Sequence, residues 1–119
     1  MLALDTIRGH RVVANPAVLD AIAGPALRLA PDELFVVGDV SIDDEHAIVV
    51  ADSGFVGAWL DPEQLAQVAA HTDWPLPTTR PALAQGFVAG VPAKLWLTDD
   101  GSLLLCAAPY AVELAERLS

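Results

Sequence analysis

The chain reads as an α+β protein, an antiparallel sheet of hairpins with two or three short helices packed on one face. Three observations lead there. Short apolar runs rich in Val, Leu, Phe and Trp recur between turn clusters such as Pro31-Asp32-Glu33 and Asp99-Asp100-Gly101, which is strand-and-hairpin grammar. Asp61-Pro62-Glu63-Gln64 is a complete helix-start signal, with a capping acid, proline at the first helical position and a glutamine that can return a hydrogen bond to the cap. The stretch Pro81–Leu97 sets two apolar runs around a Gly90-Val91-Pro92 corner with only Gln85 and Lys94 as polar groups of any reach, the composition of a sheet core. At 119 residues residues 1–119 form a single α+β domain, long enough to bury about 65% of the surface of the unfolded chain.

Residues 1–14 scatter Asp5, Arg8, His10 and Arg11 among aliphatics without a sustained period, so they are expected as a flexible lead-in or an edge strand. Asn15-Pro16 starts a two-turn helix with Val18, Leu19 and Ile22 on one face, stopped by Gly24-Pro25. Ala26–Asp39 then reads as a hairpin turning at Pro31-Asp32-Glu33, with Arg28 on its wet face. The four acids between Asp39 and Glu45 predict a solvated loop.

His46–Val50 and Phe55–Leu60 are expected as two strands joined by a tight turn at Asp52-Ser53-Gly54. The capped helix from Asp61 buries Leu65, Val68 and Ala69 and ends near His71. Residues 73–81 contain Pro75, Pro77 and Pro81 and must run extended. Strands Leu83–Ala89, Ala93–Leu97 and Ser102–Ala107 follow. A last helix opens at Pro109, with Ala111, Leu114, Ala115 and Leu118 inward and Glu113 and Arg117 outward at a favourable i,i+4 spacing.

Sixteen acids against six bases give a net charge of −10. That balance opposes binding to nucleic acid or anionic membrane, neither of which is expected as a partner, because neutralising phosphates needs clustered Lys and Arg. The same field favours docking on a basic partner. No apolar run reaches the roughly 20 residues of a membrane helix, and the start MLALDTIRGHR lacks signal-peptide layout, which makes a cytoplasmic protein the expectation. Cys106 is the one cysteine and sits among apolar neighbours without a nearby cation to activate it.

Chemistry has little to stand on. His10, His46 and His71 share no metal-ligand spacing. The run Asp43-Asp44-Glu45-His46 lacks the alternation and bending glycine of a hard-cation loop. No serine lies in a Gly-x-Ser-x-Gly elbow, and no glycine-rich loop leads into a helix. No catalytic residue, metal ligand or cofactor is therefore expected, and no cofactor-binding residue is assigned. Trp59 and Trp96 fall in strands. Trp74 stands in the proline-rich connector and, with Leu76 and Arg80, forms the candidate partner-binding element, since an aromatic held by prolines loses little entropy on binding. The competing reading folds Trp74 back over the edge of the core.

The order of these features resembles the sarcosine oxidase gamma subunit family, itself related to the folate-binding amino-terminal domains of aminomethyltransferases. Leu27–Glu33 is similar to that family's Leu-Gly-Pro-Asp-Glu hairpin, and His46–Val50 to the strand after its variable helix. Asp61–Ala70 is similar to its short capped helix. Trp74-Pro75-Leu76, Ala84-Gln85 and Val91–Trp96 are similar to its later strands, and Pro109–Leu118 to its closing helix. The loop Asp39–Glu45 is shorter than the helix the family places there, and the Lys-Gly-Cys signature of the related iron–sulfur assembly proteins is missing. The resemblance implies a non-catalytic accessory subunit packed on a larger flavin-dependent amine or amino-acid oxidoreductase. The alternatives are a folate-like small-molecule binder acting as a homo-oligomer and a homodimeric structural protein without chemistry.

Overall fold

Among the described residues the chain forms seven strands, all in antiparallel pairs where their registers are defined, and three short helices. The computed structural model describes residues 2–119. In order they form β1 (Asp5–Val13), α1 (Pro16–Asp20), β2 (Ala26–Ala30), β3 (Glu33–Val37), β4 (Ile48–Leu60), α2 (Pro62–Ala69), β5 (Ala82–Val88), β6 (Val91–Thr98), β7 (Gly101–Ala107), a 3₁₀ turn (Ala108–Tyr110) and α3 (Ala111–Arg117). The α+β class read from the sequence stands. Their contacts divide the described residues into two units, Arg8–Ser53 and residues 2–7 with 54–119.

In the unit Arg8–Ser53 the strands run in the order β2-β3-β1-β4. The β2–β3 hairpin turns at Pro31-Asp32 as expected, and a register shift between Arg28 and Ala30 marks a bulge. Residues 5–13, expected as a lead-in or edge strand, form β1, whose register with β3 runs from Gly9 opposite Val37 to Val13 opposite Glu33. Gly9 is there for a steric reason: a Cβ would lie 2.2 Å from the Val36 carbonyl oxygen and 2.7 Å from the Phe35 ring. Asn15 caps α1 through its side chain, which accepts from the Ala17 N–H at 3.0 Å. Val12, Leu19, Leu34 and Val36 are buried together, with Ile22, Val40 and Ile42 packed around them.

The expected turn at Asp52-Ser53-Gly54 does not form. All three residues lie inside the thirteen-residue β4. Asp52 Oδ2 accepts from Arg11 Nη2 at 3.0 Å, and Arg11 Nη1 donates to Glu33 Oε1 at 3.1 Å. Strand pairing along β4 carries the chain straight through the turn its local sequence offers.

In the second unit the order is β4-β7-β6-β5. Phe55 opposite Ala107 through Leu60 opposite Ser102 set the β4–β7 register. The β5–β6 corner, expected at Gly90-Val91-Pro92, is instead the two-residue loop Ala89-Gly90, closed by the Val88–Val91 pair. Ala89 has φ 50° and Gly90 φ 79°, the two positive values of a type I′ turn, whose twist matches that of its strands. Arg117 Nη1 donates to the Ala89 carbonyl oxygen at 2.8 Å and supports that corner from α3.

α2 carries the full capping box: Asp61 Oδ1 accepts from the Gln64 N–H at 2.8 Å while Gln64 Oε1 accepts from the Asp61 N–H at 2.9 Å. Val68 of α2 and Leu114 of α3 enter the same buried cluster as Val56, Leu60, Ala84, Val88, Val91, Leu95, Leu97 and Leu104. Each buried Val or Leu of this cluster contributes about 1.5–3 kcal/mol. Among the described residues no helix is long and apolar enough to cross a membrane.

Candidate functional site

Strand alternation gives β4, β7, β6 and β5 a second set of side chains, opposite to the α2/α3 cluster. The registers sort them into rows. Phe55 and Ala107 face each other across β4–β7, as do Phe87 and Pro92 across β5–β6. Gly57, Leu105, Lys94 and Gln85 form the next row, and Trp59, Leu103, Trp96 and Leu83 the one after. Gly57 permits the close approach of this row, since a Cβ there would stand 2.0 Å from the Leu104 carbonyl oxygen and 2.8 Å from a Leu105 methyl.

At the Phe55–Phe87 end lies an open groove of about 380 Å³, lined chiefly by Phe55, Phe87, Pro92, Leu105, Ala107 and Tyr110. Its polar side chains of reach are Lys94 and Gln85, whose Nζ and Oε1 are hydrogen-bonded at 2.7 Å. Phe87 is 62% exposed and Tyr110 42%, so two aromatic rings stand at the rim where a partner or ligand would meet them. In the third row Trp59 and Trp96 pack edge to face with centroids 6.3 Å apart, the arrangement favoured by ring quadrupoles. Trp59 is 49% exposed. The composition suits an apolar group, held near one ammonium–amide pair.

The sequence-predicted partner element lies elsewhere. The half-buried Trp74 lies over Gly86, where a Cβ would come within 2.8 Å of its indole, and its Nε1 donates to the Phe87 carbonyl oxygen at 3.1 Å. Trp74 and Leu76 both pack against the α2/α3 cluster. Arg80 is half-buried and donates from Nη1 to the carbonyl oxygens of Pro77 at 2.7 Å and Thr79 at 3.0 Å, just before the cis peptide bond to Pro81. Trp74 and Phe87 are thus tied to one another, while Arg80 serves the connector's own backbone. Phe87 and Tyr110 were not singled out by sequence. The signal was present in β5, where Ala84 and Val88 occupy the core face and leave Phe87 on the other.

The remaining chemistry-bearing groups stay apart. Among the described residues no group of three or more His, Cys, Asp or Glu side chains is placed to hold a metal ion. Burial pushes the Cys106 thiol up from its ordinary value. His10 Nδ1 is 2.7 Å from the Gly38 carbonyl oxygen, to which it donates. His46 is exposed beside Glu45. No family model, curated protein or solved structure matches this chain.

Proposed function

We propose that this chain is a non-catalytic accessory subunit that docks on a larger flavin-dependent amine or amino-acid oxidoreductase in the cytoplasm. The groove rimmed by Phe87 and Tyr110 carries the docking half of this reading. Exposed aromatics around an apolar floor are the usual anchors of protein interfaces. A net charge of −10 favours a neutral-to-basic face on the partner. The kind of partner follows from the resemblance of residues 26–118 to the sarcosine oxidase gamma family.

The test is isolation of the chain from its source at low salt, followed by identification of what accompanies it. A flavin-absorbing partner in stoichiometric amount, lost in the Phe87→Ser/Tyr110→Ser variant, is the expected result. A preparation that contains this chain alone overturns the proposal.

The size of the groove favours one second reading. About 380 Å³ lies within the range of small-molecule sites, and a folate-like ligand on a homo-oligomer would place an aromatic ring on the apolar floor. Quenching of tryptophan emission by added folate, saturable and lost in Phe87→Ser, would favour that reading over the first.

A further inference from the structure

β4 is thirteen residues long, but its register with β7 starts at Phe55. Its neighbours in the sheet are β1 and β7, and the register with β7 reaches no nearer its start than Phe55 opposite Ala107, which leaves residues 48–51 without β7 on that edge. Ile48, Val49 and Val50 are 58%, 42% and 55% exposed. Successive strand side chains point to opposite faces, so exposure of three in a row leaves both faces of the strand open along with that edge.

Edges are normally blunted by lysine, proline, bulges or a covering element. The far edge strand β5 has such a cover, because Trp74 Nε1 takes up the Phe87 carbonyl. Residues 47–51, Ala-Ile-Val-Val-Ala, contain no charge, proline or glycine. A β-branched, uncharged edge of this kind is a template for an added strand.

The charges beside it choose the occupant. Asp43, Asp44 and Glu45 stand directly before the strand, with Asp43 and Glu45 exposed. Asp44 Oδ1 accepts from the His46 N–H at 2.8 Å and fixes the turn into β4. A second copy would bring another such acidic run and another −10 to the edge, whereas a strand ending in bases would neutralise it. We propose that residues 48–51 of β4 bind an extended segment of a partner protein as an added antiparallel strand, its β-branched residues followed by Lys or Arg at Asp43–Glu45. Residues 48–51 share no side chain with the lining of the Phe87–Tyr110 groove, and the inference does not depend on what the groove binds.

The probe is the acetylated, amidated peptide Thr-Val-Thr-Val-Thr-Lys-Arg-Lys, titrated into the isotope-labelled chain and read by amide chemical shifts. Saturable shifts centred on Ala47–Ala51 are expected, with a Kd of about 0.1–1 mM, as befits a short strand that must also be ordered on binding. Ile48→Lys/Val50→Lys should weaken binding at least about tenfold by charging the edge, with an unchanged melting temperature because both positions are exposed. Asp43→Asn/Glu45→Gln should weaken it about threefold to tenfold at low salt, an effect erased near 0.5 M salt by screening.

Absence of saturable shifts, or shifts centred elsewhere, overturns the proposal. Equal affinity for a peptide with serines in place of its three bases overturns the charge assignment. Concentration-dependent dimerisation without peptide, abolished by Ile48→Lys/Val50→Lys, would show that the edge serves a second copy.

Discussion

The indole N–H of Trp74 donates to the carbonyl oxygen of Phe87 at 3.1 Å, thirteen residues along the chain. The bond ties the proline-rich connector to β5 and occupies an outward-facing acceptor of an edge strand. Trp74→Phe keeps most of the ring's packing and removes the donor, so it should cost about 0.5–1.5 kcal/mol. Chemical denaturation measures this, and equal stability would show that the hydrogen bond contributes nothing net.

Gly86 tests the same contact from below. A methyl group there meets the indole at 2.8 Å, and the ring must lift away or the strand must shift. Gly86→Ala should therefore destabilise by about 1–3 kcal/mol, the usual cost of overpacking, and red-shift tryptophan emission as the indole becomes wetter. Pairing Gly86→Ala with Trp74→Ala should recover much of that loss, because the second substitution removes the obstacle.

The Ala89-Gly90 corner invites the opposite change. Ala89 holds φ 50°, where an L side chain crowds its own carbonyl at a cost of about 1–2 kcal/mol. Ala89→Asn or Ala89→Gly should raise stability by about 0.5–1 kcal/mol, since both residues accept this backbone more readily. Thermal melting of the two variants against the parent chain decides it.

Arg11 links Glu33 and Asp52 at 3.1 and 3.0 Å, with side chains 40%, 27% and 20% exposed. Exposure of that order keeps each pair within about 1 kcal/mol. Asp52→Asn should thus cost less than about 1 kcal/mol at low salt and almost nothing at high salt. A double-mutant cycle with Arg11→Met isolates the coupling.

Cys106 gives the pH dependence. Its buried thiol titrates above the ordinary 9.0, because desolvation disfavours the thiolate. Below that value the thiol is protonated in folded and unfolded chain alike, and its contribution is fully present. Above it the unfolded chain loses the proton first, so stability falls as pH rises until the folded thiol titrates too. Urea denaturation between pH 7 and 10 should show this fall in the parent chain and a flatter profile in Cys106→Ala. Parallel profiles would assign the decline to other groups.

Local chemistry written into consecutive residues was legible from sequence. Asp61-Pro62-Glu63-Gln64 made its capping box, Asn15-Pro16 started α1, and Pro31-Asp32 turned its hairpin, because each of these structures is satisfied within a few residues of itself. The groove was only partly legible. Alternation in β5 and β6 assigns Phe87 and Pro92 to one face, but Phe55 and Tyr110 join them only through the β4–β7 register and the turn after β7.

The sequence by itself determined the α+β class, the hairpin turns at Pro31-Asp32 and Asp99-Asp100 and the capped starts of α1 and α2, all products of short-range hydrogen bonding and apolar periodicity. Tertiary structure decided the rest. Asp52-Ser53-Gly54 became strand because β4 runs unbroken from Ile48 to Leu60 between the neighbours β1 and β7, both remote in sequence. Gly9, Gly57 and Gly86 became points of close approach because Phe35, Leu105 and Trp74 lie over them. In each case the partner is remote along the chain, and a local preference of about a kilocalorie gives way when strand pairing and packing oppose it.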